Sequence, residues 1–561
     1  MPLMSMSIRR ALVAVLAMAV LPLQATTLLV NAHIHTLDPD KPQATALAWG
    51  DDGRLLAVGT TSELQAQYRD AKSVDAHGAT VIPGLIDAHG HLLGLGVLRS
   101  QADLVGARSK AEVVKRLQAW AASLPKDAWV LGRGWDQNLW PEKSFPSAAD
   151  LDAAFPDRPV YLERVDGHAS WVNTAAMKRA KKSLDGDWQP DGGRIQRVGT
   201  RASGVLVDGA QDLVQSAIPP MTPAQTREAY KHAFDDAVAT GLTGVHDAGV
   251  SLDDFKVLQQ MAKDGEIPLR LYEMADGNHA ALDWLCAQGG QWIDPSGRLR
   301  MHTVKLYMDG ALGSRGAALL SDYSDDHGNK GIFVTSPEDY RVAVAKARGC
   351  KVQVATHAIG DRGNRMVLDT YQAVLGKDAE TDHRWRVEHA QIVALDDIPR
   401  FATLHLIASM QPTHATSDMP WAAQRLGTER LKGAYAWQRF LHERVPLAFG
   451  SDFPVESVNP MLGLYAAITR QDLAGQPPGG WLPDQKVSRI QALVGFTRAA
   501  AYAGFMEREV GMLKAGMRAD FVLLNADPLT IEPRQIADLK PLSTWVDGKA
   551  VYTAGKTDAA R

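Results

Sequence analysis

Short apolar runs alternate with amphipathic helical patterns through most of the chain. VIPGLIDAHGH, TVKLYMDG, KVQVATHAIGD, RWRVEHAQI and PLAFGSDFP each stop abruptly at small or polar residues. Between such runs lie KAEVVKRLQAWAASL, PAQTREAYKHAFDDAVATG and NRMVLDTYQAVLG, which carry the spacing of helices with one apolar face. Strand–helix alternation predicts a parallel sheet, and polar residues gathered at strand ends predict a (β/α)8 barrel, in which all strand C-termini share one ring. GLTGVHDAG is expected as the third strand.

The two ends of the chain have another texture. LLVNAHIHTLD and ATALAWGDDGRLLAVG near the start, and ADFVLLNADP and LSTWVDGKAVYTAG near the end, alternate apolar and polar residues around Asp-Gly turns. They predict one small β-sandwich built from both termini. WVLGRGWDQNLW, PVYLERVDGHASWVN and GGRIQRVGTRASGVLVDG are strand-rich and Gly-rich, and are expected as an insertion over the barrel mouth. The expected divisions are an export signal over 1–25, sandwich halves over 26–83 and 506–561, and a barrel over 84–505 with an insertion over about 127–208.

Composition narrows the partners. A net charge of −4 with no basic stripe excludes nucleic-acid binding as the leading reading. Arg9-Arg10 followed by ALVAVLAMAVLPL and Gln24-Ala25 has the form of a cleaved signal, so the mature protein is expected in the periplasm or outside the cell, without stable membrane insertion. With no Cys near that point, a lipid anchor through an N-terminal Cys is excluded. Cys286 and Cys350 are the only cysteines. An oxidising compartment would let them pair, but Cys350 opens the apolar run CKVQVATH and is expected as a buried free thiol.

The strand-end residues supply His89, His91, Lys305, His357, His389 and Asp452. Histidines with a carboxylate suit a borderline divalent metal such as zinc, with nickel, manganese or iron as alternatives. His89, His91 and Asp452 would serve one ion, and His357 and His389 a second. An ammonium cannot ligate a cation, so Lys305 fits a metal site only if CO2 carbamylates it to a bridging ligand; the plain alternative is an ion pair with Asp309. A metal-activated hydroxide would attack a carbonyl or imine carbon, with Asp452 as proton shuttle. A second His-x-His pair, His33 and His35, sits in a pattern expected of an edge strand, with no partners downstream.

PGLIDAHGH, GRGWDQNLW, VDGHASWVNTAA, VKLYMDGALGSRGA, ATHAIGDRGNR, RVEHAQI, SMQPTHATSDM, GSDFPVE and GMLKAGMRADFVLL together resemble the amidohydrolase superfamily, within it the amidohydrolase-3 group of YtcJ-like hydrolases. The resemblance spans nearly the whole mature chain. It implies that His89 and His91 follow barrel strand one, Lys305 strand four, and His357, His389 and Asp452 strands five, six and eight. It also implies hydrolysis of an amide or N-acyl C–N bond in a small molecule, with a divalent metal, two zinc ions per chain being the expectation. A homodimer is common on such scaffolds. His168, Trp171, His246, Asp309, Arg315 and His414 are the candidate substrate-binding residues. The alternatives are a mononuclear deaminase of a heterocycle, which needs no bridging lysine, and a non-catalytic barrel.

Overall fold

The computed structural model describes residues 26–277 and 280–555. The expected export signal lies outside the described residues. At the centre, eight strands run in parallel: β1 Leu85–Gly90, β2 Leu242–Val250, β3 Arg270–Asp276, β4 Leu299–Tyr307, β5 Gln353–Ala358, β6 Arg386–His389, β7 Ile407–Met410 and β8 Leu447–Phe449. They are hydrogen-bonded in sequence order from β1 to β8, and helices pack outside them. Such strands are covered on both faces, which is why they read as near-continuous apolar runs. GLTGVHDAG forms β2, not a third strand, because the intervening strands belong to a separate sheet.

The ring is drawn together at the mouth by the loops after β1 and β8. The Asp452 N–H donates to the His89 carbonyl at 2.7 Å, and the His91 N–H to that of Phe453 at 2.7 Å. Buried Asp87 accepts from the Ser451 hydroxyl at 2.6 Å and from the His89 N–H at 3.0 Å. Each of these bonds fixes a residue adjoining the polar ring.

Strands from both ends of the chain form two sheets. One orders Leu55–Gly59, Ala46–Gly50, Thr26–Val30 and Lys72–Asp75; the other orders Lys549–Thr553, Pro541–Val546, Phe521–Leu524, Thr80–Pro83, His33–His35 and Gln43–Ala44. Trp49, Phe521 and Leu47 are buried in a cluster between them, with Trp49 edge-on to Phe521 at 5.6 Å. His33–His35 is flanked on both sides rather than lying at an edge, and His35 pairs with Asp527 at 3.0 Å.

The inserted region has its own six-stranded sheet: Gly193–Val198, Arg201–Asp208, Ala169–Val172, Val160–Arg164, Val130–Trp135 and Ala102–Asp103. It therefore begins near Ala102, earlier than the expected position. The helix Lys110–Ala121 buries Val113 and Leu117 against this sheet and is not a barrel helix. An amphipathic pattern states that a helix has a buried face, not which sheet covers it. Cys286 and Cys350 are joined in a disulfide, correcting the expected free thiol. Their backbones, 5.1 Å apart, meet where the helices Ala280–Ala287 and Pro337–Gly349 end.

Candidate metal centre at the barrel mouth

The six strand-end residues converge. His89 and His91 leave β1 two residues apart, on the same side of an extended chain. Asp452 Oδ1 lies 3.1 Å from His91 Nε2 and 3.5 Å from His89 Nε2, and Oδ2 lies 3.6 Å from His414 Nε2. The His389 ring is 4.9 Å from that of His89 and 4.5 Å from that of His357. Lys305 Nζ lies 3.2 Å from His89 Nε2. His389 and Asp452 adopt φ of +70° and +63°. Side chains rarely accept this left-handed backbone, and such strain concentrates at functional sites.

Polar groups beneath the ring aim the imidazoles. His89 Nδ1 meets Glu388 Oε2 at 2.5 Å, and His389 Nδ1 meets Gln411 Oε1 at 2.8 Å. In both rings Nε2 is left to face the cluster, the arrangement by which an outer carboxylate or amide orients a metal ligand. Arg386, fully buried, donates to both oxygens of Glu388 at 2.6 and 2.9 Å, and also to the Ala88 carbonyl and the Ser409 hydroxyl. Burial would raise the Glu388 carboxyl, but the charges of Arg386 and His89 overcome it and hold it far below the usual carboxylate range.

Electrostatics favour neutral imidazoles. Burial, with the Lys305 charge next, pushes His89 down to about 4. Burial also drives His357 and His389 well below their ordinary value. Lys305 is pushed down to about 8 by burial, opposed by the charges of Glu388 and Asp452. Neutral His with an ionised Asp is the donor set a divalent cation requires. Ligand atoms of His89, His389 and Asp452 all lie within 4.8 Å of one another, so the residues present fit a metal ion. This grouping crosses the division expected from sequence, which placed His389 with the second ion.

The centre opens into a cavity of about 960 Å3 roofed by the insertion. Of the candidate substrate-binding residues, His168 and His414 are on its wall; Trp171, His246, Asp309 and Arg315 are not. Trp171 is buried in the insertion's core against Trp135 and Trp140, with its indole N–H on the Ser147 carbonyl. His246 accepts from Arg386 at 2.9 Å below the ring. Asp309 accepts from the N–H groups of Ala318, Ile359 and Gly360 at 2.8–2.9 Å, which ties the loops after β4 and β5 and leaves no pair with Lys305. Arg315 pairs with Asp325 at 3.0 Å. His168 Nδ1 lies 2.6 Å from Asp208 Oδ1, and its ring is 5.0 Å from that of His357. Burial alone would lower His168, but the bond to Asp208 and its charge raise it to about 9.

Sequence reading did not single out Glu388, Arg386, Gln411, Asp87, Ser451 or Asp208. Two of them stand out only once β6 is in place. Arg386 and Glu388 alternate within a four-residue strand that is wholly buried, and charges on the inner face of a core strand need a reason.

The amidohydrolase family model matches residues 72–552. YtcJ of Bacillus subtilis (strain 168), itself assigned as an amidohydrolase, is 32% identical over 519 residues, covering 91% of this chain and 96% of YtcJ. The N-substituted formamide deformylase of Arthrobacter pascens is 27% identical, covering 94% of this chain and 98% of its own. A metal-dependent hydrolase from Pyrococcus horikoshii OT3 superposes with a TM-score of 0.75 at 26% identity, covering 91% of this chain and 99% of that one. The chain belongs to the amidohydrolase family. It is a metal-dependent hydrolase acting on carbon–nitrogen bonds.

Proposed function

We propose that the protein cleaves an amide, an N-acyl or N-formyl amine, with two zinc-type ions that His89, His91, His357, His389 and Asp452 would hold, Lys305 being carbamylated as a further ligand. The observation that carries the reading is the convergence of His89, His389 and Asp452 with both outer imidazole nitrogens already engaged. When bound, such ions supply an activated water and polarise a carbonyl.

Everything else falls to the chain. Glu388 and Gln411 fix the rings. Asp452 points one oxygen at His89 and His91 and the other at His414, so it can take the proton of the attacking water and return it to the leaving nitrogen. Lys305 is buried, 3.2 Å from a ligand nitrogen. An ammonium there opposes cation binding, whereas a carbamate oxygen supports it. The insertion shields the reacting bond from bulk water. The full-length likeness to a formamide deformylase supports a small acyl group on nitrogen. The disulfide supports an oxidising, exported location for the mature protein.

The test is metal content by elemental mass spectrometry on protein purified without chelator and with bicarbonate, paired with turnover of N-substituted formamides and N-acyl amines. About two equivalents with hydrolysis that chelator abolishes is the expected result. One equivalent with ammonia release from a heterocycle would replace the reading with deamination.

A further inference from the structure

The insertion does more than roof the cavity. Among its cations on the cavity wall, Arg133 is paired with Glu163, and Arg164 with Asp136 and Asp166. His168 alone has a ring nitrogen to spare: Nδ1 is taken by Asp208, and Nε2 has no partner among the described residues. Its side chain retains 20% exposure, and its ring stands 5.0 Å from the ring of His357.

Asp208 is seated with unusual closeness on the barrel. A methyl group at Gly310 or Gly316, in the loop after β4, would lie 2.5 Å from Asp208 Oδ2. The loop that follows Lys305 is thus hollowed for this carboxylate, whose own backbone takes φ of +50°. A simple latch between insertion and barrel would need Asp208 alone. Here the same carboxylate also orients an imidazole beside the metal ligands, holding Nδ1 at 2.6 Å and leaving Nε2 free at the cavity wall.

Resting on the amidohydrolase reading, we propose that His168 is a catalytic residue supplied by the insertion. Its Nε2–H donates to the acyl oxygen of the substrate as negative charge develops there, while Asp208 positions the ring. A donor aimed at developing charge in a water-poor site typically accounts for about 10²–10³ in kcat.

The test uses the full-length, metal-loaded protein and its His168→Gln and Asp208→Asn variants. Acetohydroxamate, whose carbonyl stands in for the acyl oxygen, is titrated by calorimetry, with metal content and thermal midpoint measured on the same samples. The expected result is about tenfold weaker hydroxamate binding in His168→Gln and a smaller loss in Asp208→Asn. Metal content should be unchanged, and amide turnover should fall by about 10²–10³ in His168→Gln. Hydroxamate affinity within twofold of wild type in both variants overturns the proposal, as does a wild-type protein that binds no hydroxamate. If the affinity pattern appears but no amide is hydrolysed, the amide reading falls and the role of His168 stands.

Discussion

The barrel buries charge at both of its ends, and the two ends treat it in opposite ways. At the closed end, Arg270 begins β3 and donates to Asp520 at 2.7 Å and to Asp547 at 2.5 Å, with Arg298 bonded to Asp547 at 3.0 Å. Guanidinium and carboxylate forks match there, which is how buried charge is made tolerable. At the mouth, the imidazoles of His89, His91 and His414 lie 3.1–3.6 Å from Asp452, and Lys305 is 3.2 Å from His89. Neutral imidazoles beside an ionised carboxylate offer lone pairs of the kind a divalent cation takes up. A charge-paired cluster docks the terminal sheets, whereas the one at the mouth fits a metal ion.

Breaking each end should therefore show in different measurements. The largest effect is expected for Asp452→Asn: turnover should fall by about 10³ or more with the fold retained, because the proton carrier is gone. Parental turnover in this variant would remove Asp452 from the chemistry. Next is Glu388→Gln, where zinc affinity measured against a competing chelator should weaken by about 10- to 100-fold. Unchanged affinity would mean that His89 needs no orienting carboxylate.

At the closed end, Asp547→Asn should lower stability by about 3 kcal/mol in denaturant titration while kcat stays unchanged. Burial would raise the Asp547 carboxyl, but Arg270, Arg298 and Arg518 hold it below its ordinary 3.8. Its contribution is then complete above the unfolded value of about 4 and is lost as pH falls through the lower folded value. Acid sensitivity should be blunted in the variant, and identical acid profiles would discount the cluster. His33→Ala is the smallest expected change, within about 0.5 kcal/mol and without loss of metal.

The convergence of the candidate ligands was legible because each residue ends an apolar run, and a barrel needs only that pattern to gather them. The supports beneath it were not. Glu388 and Arg386 look like the ordinary charges of RVEHAQI until β6 is known to be buried on both faces. Asp208 lies 40 residues from His168, and only the antiparallel pairing of Ala169–Val172 with Arg201–Asp208 brings them together. Trp171 was expected among the substrate-binding residues, yet Trp135, Trp140 and Trp171 pack on one another in the insertion's core, since composition cannot distinguish a wall from a filling. The pairing of Cys286 with Cys350 depended on where two distant helices end.

One pairing also sets an order of assembly. Thr80–Pro83 lies beside Phe521–Leu524, so an early strand of the chain finds its neighbour only when almost all of the polypeptide has been made. The barrel's first strand follows directly after it. During synthesis these segments must wait, and so widely separated a contact is slow to close. Loss of even the last few dozen residues would leave Trp49 and Leu47 without their cover, turning a truncated product into an aggregation-prone one rather than a weaker enzyme.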